Sequence, residues 1–202
     1  MGVRRDQDTN FMKNIFLSGI DMRKLLKIAR EAITCAVRNE QLKTIKPEEY
    51  PQLLRDPGAS FVTLTKRDKL RGCIGTLEAY QPLVLDVQEH AVAAAMEDYR
   101  FPDVSEDELH LIKIEISRLT PVQLVGYSTP KDLASKLRKN VDGVLIKANG
   151  RRATFLPQVW EKVPDTEQFL SQLCVKMGTS PDLWREKHLQ VYTYQVEKFK
   201  ET

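Results

Sequence analysis

Hydrophobic residues along the chain recur with two periods, and the longer period predicts helices. Leu25, Ala29 and Ile33 stand four residues apart, which places them on one face of a helix. This pattern predicts a helix over about 21–39, with Asp21 as the residue that caps its N-terminus. Similar spacing, together with proline and glycine at the ends, predicts further helices at 83–99, 132–139 and 166–177, and a short one after Ser180-Pro181.

The shorter period predicts strands. Ile112, Ile114 and Ile116 alternate with polar residues, as expected for a strand over 111–119 that buries one face. Other strands are predicted at 60–65, 70–76, 144–148, 152–156 and 191–199. Asn149-Gly150 separates two of them and is a strong signal for a hairpin turn.

Strands and helices follow one another without strict alternation. This order favours an α+β fold, with a mixed or largely antiparallel sheet flanked by helices, over a doubly wound parallel sheet. The 202 residues suit one domain, or one domain with a small lobe. Residues 122–157 carry their own helix and hairpin, so we expect them to form a smaller second lobe, with a cleft between the lobes.

Composition excludes several classes of protein. The hydrophobic share of 42% argues against disorder, and the net charge of +3 is too small to indicate a nucleic-acid or membrane surface by itself. Apolar runs such as 91–96 are too short to span a membrane, and the polar N-terminus lacks a secretory signal, so we expect a cytoplasmic protein. The three cysteines and three histidines lack metal-ligand spacing, and no common nucleotide motif occurs, so the sequence predicts no metal site and identifies no cofactor.

The predicted strand at 70–76 contains the strongest candidate site. Alternation places Arg71, Cys73 and Gly75 on one face, where the arginine would favour the thiolate form of the cysteine. Gly72 and Gly75 remove side chains and permit close approach by a ligand or by backbone. The alternative is a buried, inert cysteine beside two glycines that mark a bulge.

Three further positions are weaker candidates. Asp98 and Arg100 end a predicted helix, where they either face a cleft or form an ordinary terminal ion pair. Gln158 follows a strand and a proline, so its amide is a candidate for orienting a ligand. His90 stands four residues after Asp86, a spacing that suits an oriented base and is equally ordinary on a solvated helix face.

The chain resembles the AMMECR family in several short motifs, which include the candidate strand at 70–76. The resemblance rests on LRGCIGT at 70–76, supported in order by RFP at 100–102, EIS at 115–117, DGV at 142–144, FLPQV at 155–159 and FL at 169–170. It runs from about residue 20 to 199 and so implies a single domain of this type with its core at about 20–199. It implies a two-lobed fold of α/β type with a cleft near LRGCIGT, and a biochemical function that is unsettled across the family. Prokaryotic relatives tend to be associated with a Memo-like protein and a radical-SAM protein, which implies a small redox or modification pathway.

Three functional hypotheses follow, and the sequence leaves open whether the protein is an enzyme. The first is a cleft that binds a small anionic ligand, with Arg71 and Arg100 as its clamp and Cys73 as nucleophile or contact. In that hypothesis Asp98 acts as a base or orients an arginine. The second is nucleic-acid binding by the segment 131–152, which holds seven Lys and Arg against two Asp. The third is an interaction module without chemistry.

Overall fold

A computed structural model describes residues 15–202 of the chain. The fold comprises two compact units. Among the described residues, unit 1 contains 15–120 together with 197–202, and unit 2 contains 121–196. Unit 2 thus includes the segment 122–157, which the sequence suggested as a smaller lobe.

Unit 1 begins with helix α1, Gly19–Val37, which buries Leu25, Ala29 and Ile33. The N-terminal cap is Ser18, and Asp21 is the third helical residue, so the expectation that Asp21 is the cap was wrong. The Ser18 hydroxyl accepts the Asp21 N–H while the Asp21 carboxylate accepts the Ser18 N–H, which forms a capping box. Two short helical segments follow, Pro47–Glu49 and α2, Gln52–Arg55.

The sheet of unit 1 has five strands. They are β1 (Pro57–Lys66), β2 (Lys69–Gly75), β3 (Gln81–Pro82), β4 (Ile112–Leu119) and the last strand of the chain, β9 (Val196–Lys200). The order is β2-β1-β4-β9, with β3 also paired to β1, and β1 is antiparallel to β2, β3 and β4. Strand β2 therefore lies at an edge of this sheet.

Helix α3, Leu83–Met96, is rich in alanine and packs against the sheet. Its small side chains let the helix approach the strands closely. Its buried residues share a core with Val62 and Leu64 of β1 and with Ile114 and Ile116 of β4. The helix ends three residues earlier than expected. Asp98 and Arg100 consequently lie in the loop that follows it.

Unit 2 has its own sheet and core. Its elements are β5 (Gln123–Leu124), α4 (Pro130–Lys136), β6 (Gly143–Ala148), β7 (Arg151–Phe155), α5 (Thr166–Lys176), α6 (Leu183–Glu186) and β8 (Gln190–Tyr194). The strand order is β5-β8-β6-β7, and the pairs are antiparallel. Trp160 stacks on Phe169 at 3.6 Å between ring centroids, and both are fully buried.

The fold class expected from the sequence is confirmed, since the protein combines helices with antiparallel sheets. The hairpin at Asn149-Gly150 is also confirmed, and both residues have positive φ, as its tight turn requires. The single strand expected over 191–199 was wrong, because the chain makes β8 in one sheet and β9 in the other. The expected cleft between lobes stays a prediction. Within residues 15–202, the helices are too short or too polar to cross a membrane.

Candidate functional site

Strand β2 carries a bulge at Arg71. Gly72 pairs with Leu64 and Leu70 pairs with Thr65, so Arg71 is an extra residue that has no partner on β1. A bulge changes the direction of a side chain relative to simple alternation. The prediction that Arg71 and Cys73 lie on one face assumed regular alternation along the strand. It therefore did not include this bulge.

The Arg71 guanidinium is bound by protein acceptors. Its Nε and Nη2 donate to the two carboxylate oxygens of Glu108 at 3.0 and 2.9 Å, and Nη1 donates to the carbonyl of Pro102 at 2.8 Å. Nη2 also donates to the carbonyl of Asp103 at 3.1 Å. With only 9% of its surface exposed, Arg71 ties β2 to the loop after α3.

Glu108 holds a second cation as well. Lys66 Nζ lies 2.8 Å from its Oε1, and the hydrogen bonds from Arg71 and Lys66 keep the pKa of Glu108 well below its usual range, although burial opposes this. The carboxylate is therefore ionised throughout the physiological range. It neutralises the charge of Arg71 inside the fold.

The two glycines of β2 are required by close contacts with the protein itself. A Cβ on Gly72 would lie 2.1 Å from the carbonyl oxygen of Ala94, so Gly72 faces α3 at the closest approach of helix and strand. A Cβ on Gly75 would lie 2.3 Å from the carbonyl oxygen of Ser60. These contacts explain both glycines without a ligand. Their proposed role in ligand binding stays a prediction.

Cys73 lies on the face of the sheet opposite α3, because the residue before it faces the helix and the register from Gly72 to Gly75 is regular. Its sulfur lies 3.3 Å from the hydroxyl of Thr63, its cross-strand partner. The residue is partly exposed. Its thiol is thus not sealed in apolar packing.

Asp98 and Arg100 bind the backbone of Cys73. An edge strand leaves N–H and C=O groups without a neighbouring strand, and these two side chains occupy that position beside Cys73. Asp98 Oδ2 accepts the Cys73 N–H at 2.8 Å, and Arg100 Nη2 donates to the Cys73 carbonyl at 3.1 Å. The aspartate and arginine also bind each other through two hydrogen bonds, of 2.8 and 2.6 Å.

Of the two charges in the pair formed by Asp98 and Arg100, one is buried and the other is exposed. Asp98 is 4% exposed, whereas 43% of the Arg100 side chain remains accessible. Hydrogen bonds from Arg100, and then from the Cys73 N–H, hold the pKa of Asp98 well below its usual range despite burial. Hydrogen bonds to Asp98, and then the charge of Asp98, raise the pKa of Arg100 although burial opposes this. The Arg100 guanidinium is thus held at the backbone of the residue that bears the thiol.

Comparison with known proteins shows to which family the chain belongs. The AMMECR1 family model matches residues 26–199. The chain belongs to the AMMECR1 family. A protein of Methanothermobacter thermautotrophicus is 39% identical over 191 residues, which cover 94% of this chain and 99% of that protein. A protein of Methanocaldococcus jannaschii is 38% identical over 162 residues, covering 79% of this chain and 81% of that protein.

A solved AMMECR1-type structure agrees on the fold. The crystal structure of an uncharacterized protein from Pyrococcus horikoshii is similar with a TM-score of 0.65 and 33% sequence identity, and the match covers 88% of this chain and 89% of that chain. The similarity supports the α+β architecture. It assigns no activity to any residue of the site.

The remaining candidates lie elsewhere. Gln158 belongs to unit 2, where it is exposed in the helical turn Pro157–Glu161, so its role at the Cys73 site stays a prediction. Cys174 is fully buried, and burial raises the pKa of its thiol. In the basic segment, Lys136 pairs with Asp132 and Arg138 with Asp142, so part of its charge is neutralised within the fold.

Sequence reasoning identified the pair of Asp86 and His90 but missed that it forms a buried polar cluster between α3 and β1. Asp86 is fully buried, and its Oδ2 accepts the Ser60 hydroxyl at 2.5 Å and lies 3.3 Å from Nδ1 of His90. His90 is 6% exposed, so the solvated helix face considered for this pair was wrong. The spacing of the pair was visible in the sequence, but its burial depends on β1. Because α3 and Cys73 lie on opposite faces of the sheet, this histidine is not placed to act as a base for the thiol.

Within residues 15–202, no group of three or more His, Cys, Asp and Glu side chains is arranged to hold a metal ion. The groups around Cys73 are its own thiol, the Thr63 hydroxyl, the exposed guanidinium of Arg100 and a backbone held in place by Asp98. These groups are suited to binding an anion or to reaction of the thiol with an electrophile.

Proposed function

We propose that unit 1 binds a small anionic ligand at the Cys73 thiol and the Arg100 guanidinium. The observation that carries the proposal is the state of Arg100. Asp98 and the Cys73 carbonyl hold its Nε and Nη2, while its Nη1 makes no hydrogen bond within residues 15–202 and nearly half of the side chain is exposed. An arginine held in this way presents free donors without losing rotamer entropy when a ligand arrives.

The proposal changes two roles that the sequence suggested. Arg71 is buried and its Nε, Nη1 and Nη2 all donate to Glu108 or to backbone carbonyls, so in this proposal it supports the loop that bears Asp98 and does not clamp the ligand. Asp98 is ionised and a weak base, because its pKa is strongly lowered, so it orients Arg100 and the Cys73 peptide. Cys73 remains the contact, and it is the nucleophile if the bound anion is electrophilic.

The charge selectivity of cysteine alkylation tests this proposal. Iodoacetate is an anion and iodoacetamide is its neutral counterpart, so the ratio of their rates at one cysteine reports the local attraction for anions. We expect a higher ratio at Cys73 than at Cys35, measured for each peptide by mass spectrometry. Excess inorganic phosphate should lower the Cys73 ratio, since it competes for Arg100.

Matched arginine variants separate the site from general surface charge. Arg100→Gln should reduce the Cys73 ratio to that of Cys35. Arg38→Gln removes another surface arginine, 45% exposed and paired with Glu106, and should leave the ratio unchanged. Equal ratios at Cys73 and Cys35 in the unaltered protein would rule out the anion site.

The other hypotheses have their own tests. Nucleic-acid binding through 131–152 predicts retardation of DNA or RNA at low salt that is lost as salt rises. An interaction module predicts that Cys73→Ser alters partner affinity while no small ligand competes. The functional link to Memo-like and radical-SAM proteins, and a cytoplasmic location, stay hypotheses from family resemblance and composition.

A further inference from the structure

A pocket of about 630 Å³ lies at one end of the unit 2 sheet, separate from Cys73. The β6–β7 hairpin lines one side, and residues 187–190, which lead into β8, line the other. Lys147 of β6 is central to it, since its cross-strand neighbours are Arg152 on β7 and Gln190 on β8. The pocket therefore rests on three adjacent strands, whose pairing fixes the backbone positions from which these side chains extend.

The lining of this pocket is cationic. Four of its side chains are lysine or arginine, a fifth is His188, and none is a carboxylate. Lys147, Arg151 and Lys187 form no ion pair with any residue of 15–202. Concentrating the charges of Lys147, Arg151 and Lys187 without partner carboxylates is unfavourable unless an anion offsets their repulsion.

Two of these cations are oriented by neutral groups. Arg151 Nη1 donates to the carbonyl of Gly178, the residue that ends the turn after α5. The Lys147 ammonium lies 5.1 Å from the centroid of the Tyr192 ring. Both contacts position the side chain while leaving its full charge uncompensated, which is the condition expected of an anion site.

An aromatic wall adjoins these charges. His188 lines the pocket and stacks on Tyr127, with 4.2 Å between ring centroids and 21° between planes. The Tyr127 hydroxyl is fixed by the backbone of Leu189, whose N–H it accepts at 2.7 Å and whose carbonyl it binds at 3.0 Å. One ring face of the exposed His188 is thus covered, and its other face and edge are left for a ligand.

We propose that this pocket binds an organic phosphate of about nucleotide size. Its volume of about 630 Å³ lies in the range of small-molecule sites, about 300–1,000 Å³. The phosphates would contact Lys147, Arg151 and Lys187, and a planar group would lie against His188. A single concave pocket suits a compact ligand better than a nucleic-acid strand, which needs an extended track of cations.

Titration calorimetry with ATP, tripolyphosphate, adenosine and a short single-stranded RNA as probes tests this proposal. We expect ATP and tripolyphosphate to bind, adenosine to bind far more weakly, and ATP affinity to fall between about 50 and 200 mM salt. The double variant Lys147→Gln/Lys187→Gln should raise the ATP Kd by about tenfold or more, since two charged contacts are lost. Both lysines lack ion pairs, so the variant should fold normally.

Lys139→Gln is the matched control, because it removes one exposed cation of unit 2 that lies outside the pocket. It should leave the ATP Kd unchanged, and so should Arg100→Gln in unit 1. The proposal is overturned if ATP does not bind at about 1 mM, if the double variant binds it like the unaltered protein, or if RNA binds through the same lysines more tightly than ATP. Because Arg100→Gln affects only the Cys73 assay, failure of one site is distinguishable from failure of the other.

Discussion

The carboxylate of Asp98 accepts the backbone N–H of Cys73 at 2.8 Å, across 25 residues of sequence. The same carboxylate anchors Arg100, whose guanidinium returns to the carbonyl of Cys73. Two side chains from the loop after α3 thus take the place of a neighbouring strand at the edge of the sheet. They fix the backbone of the cysteine and place a cation beside its carbonyl group.

Asp98→Asn should destabilise unit 1, because the asparagine cannot retain both the charged pair and the hydrogen bond to Cys73. Losing a hydrogen bond to a charged group costs about 1.5 kcal/mol in the free energy of unfolding. Urea denaturation at neutral pH measures this. Asp103→Asn is the control, since Asp103 is exposed and its contact with Arg71 is made by the backbone. If Asp98→Asn lost no more unfolding free energy than the control, the hydrogen bonds of Asp98 would not stabilise unit 1.

The stabilisation by Asp98 should also depend on pH in a defined direction. Its pKa is lower in the folded protein than the ordinary aspartate value of about 3.9. The contribution is therefore complete above about pH 3.9 and is lost as the pH falls towards the lower folded pKa. The stability difference between the unaltered protein and Asp98→Asn should shrink in acid. A difference that stays constant from pH 7 to about pH 3 would be inconsistent with this linkage.

Glu108→Gln should destabilise the fold by about 2 kcal/mol, because it leaves the Arg71 charge buried without its carboxylate. The side chains of Arg71 and Glu108 are only 10% and 15% exposed, so solvent compensates them poorly. Thermal or urea unfolding gives the comparison. Glu106→Gln breaks a nearby exposed pair with Arg38 and should cost less than about 0.5 kcal/mol. Similar losses of unfolding free energy for the two variants would show that the buried pair of Arg71 and Glu108 stabilises the fold no more than the exposed pair does.

Gly72→Ala should be strongly destabilising, because the added Cβ would lie 2.1 Å from the Ala94 carbonyl oxygen. Backbone must move to relieve this overlap, and such overpacking costs about 3 kcal/mol. Gly126→Ala is a matched substitution with no atom within 4 Å of the new Cβ, and it should be neutral or slightly stabilising. Equal unfolding midpoints for the two variants would disprove the close approach of α3 to β2.

His90 should make stability depend on pH near neutrality. Burial lowers its pKa, but contact with the Asp86 carboxylate and the charges of Asp86 and Glu89 raise it more, so the net pKa lies above the usual value. A raised pKa stabilises the fold below the unfolded value of about 6.5. This stabilisation is lost as the pH rises through the folded pKa.

His90→Gln should abolish that dependence, so the stability difference from the unaltered protein should decrease as the pH rises above about 6.5. His110→Gln, at an exposed position, should leave the profile unchanged. Denaturation midpoints measured across this range would disprove the linkage if both variants followed the profile of the unaltered protein.

Local sequence predicted most elements of the fold. The alternation of Ile112, Ile114 and Ile116 located β4, and Asn149-Gly150 located the hairpin, because both signals lie within a few residues. The split between β8 and β9 was not predictable in this way. The apolar pattern runs through both strands, and only the presence of two separate sheets divides them.

The candidate site shows the same limit. LRGCIGT lies on strand β2 as predicted, and Asp98 and Arg100 bind the backbone of Cys73, while their functional roles stay a prediction. The alternation argument could not reveal the bulge at Arg71, because a bulge is defined only relative to the partner strand. Nor could it reveal that Asp86 and His90 are buried, which requires β1 to cover them.

By itself, the sequence determined the α+β class, the family and the strand that carries Cys73, because periodicity, turn residues and motifs are properties of consecutive residues. The tertiary structure alone decided which groups satisfy which charges. Arg71 meets Glu108 across 37 residues, and Lys147 meets Gln190 only when β6 pairs with β8. Burial and electrostatic pairing arise between distant segments, and they determine which arginine and lysine side chains are left for ligands.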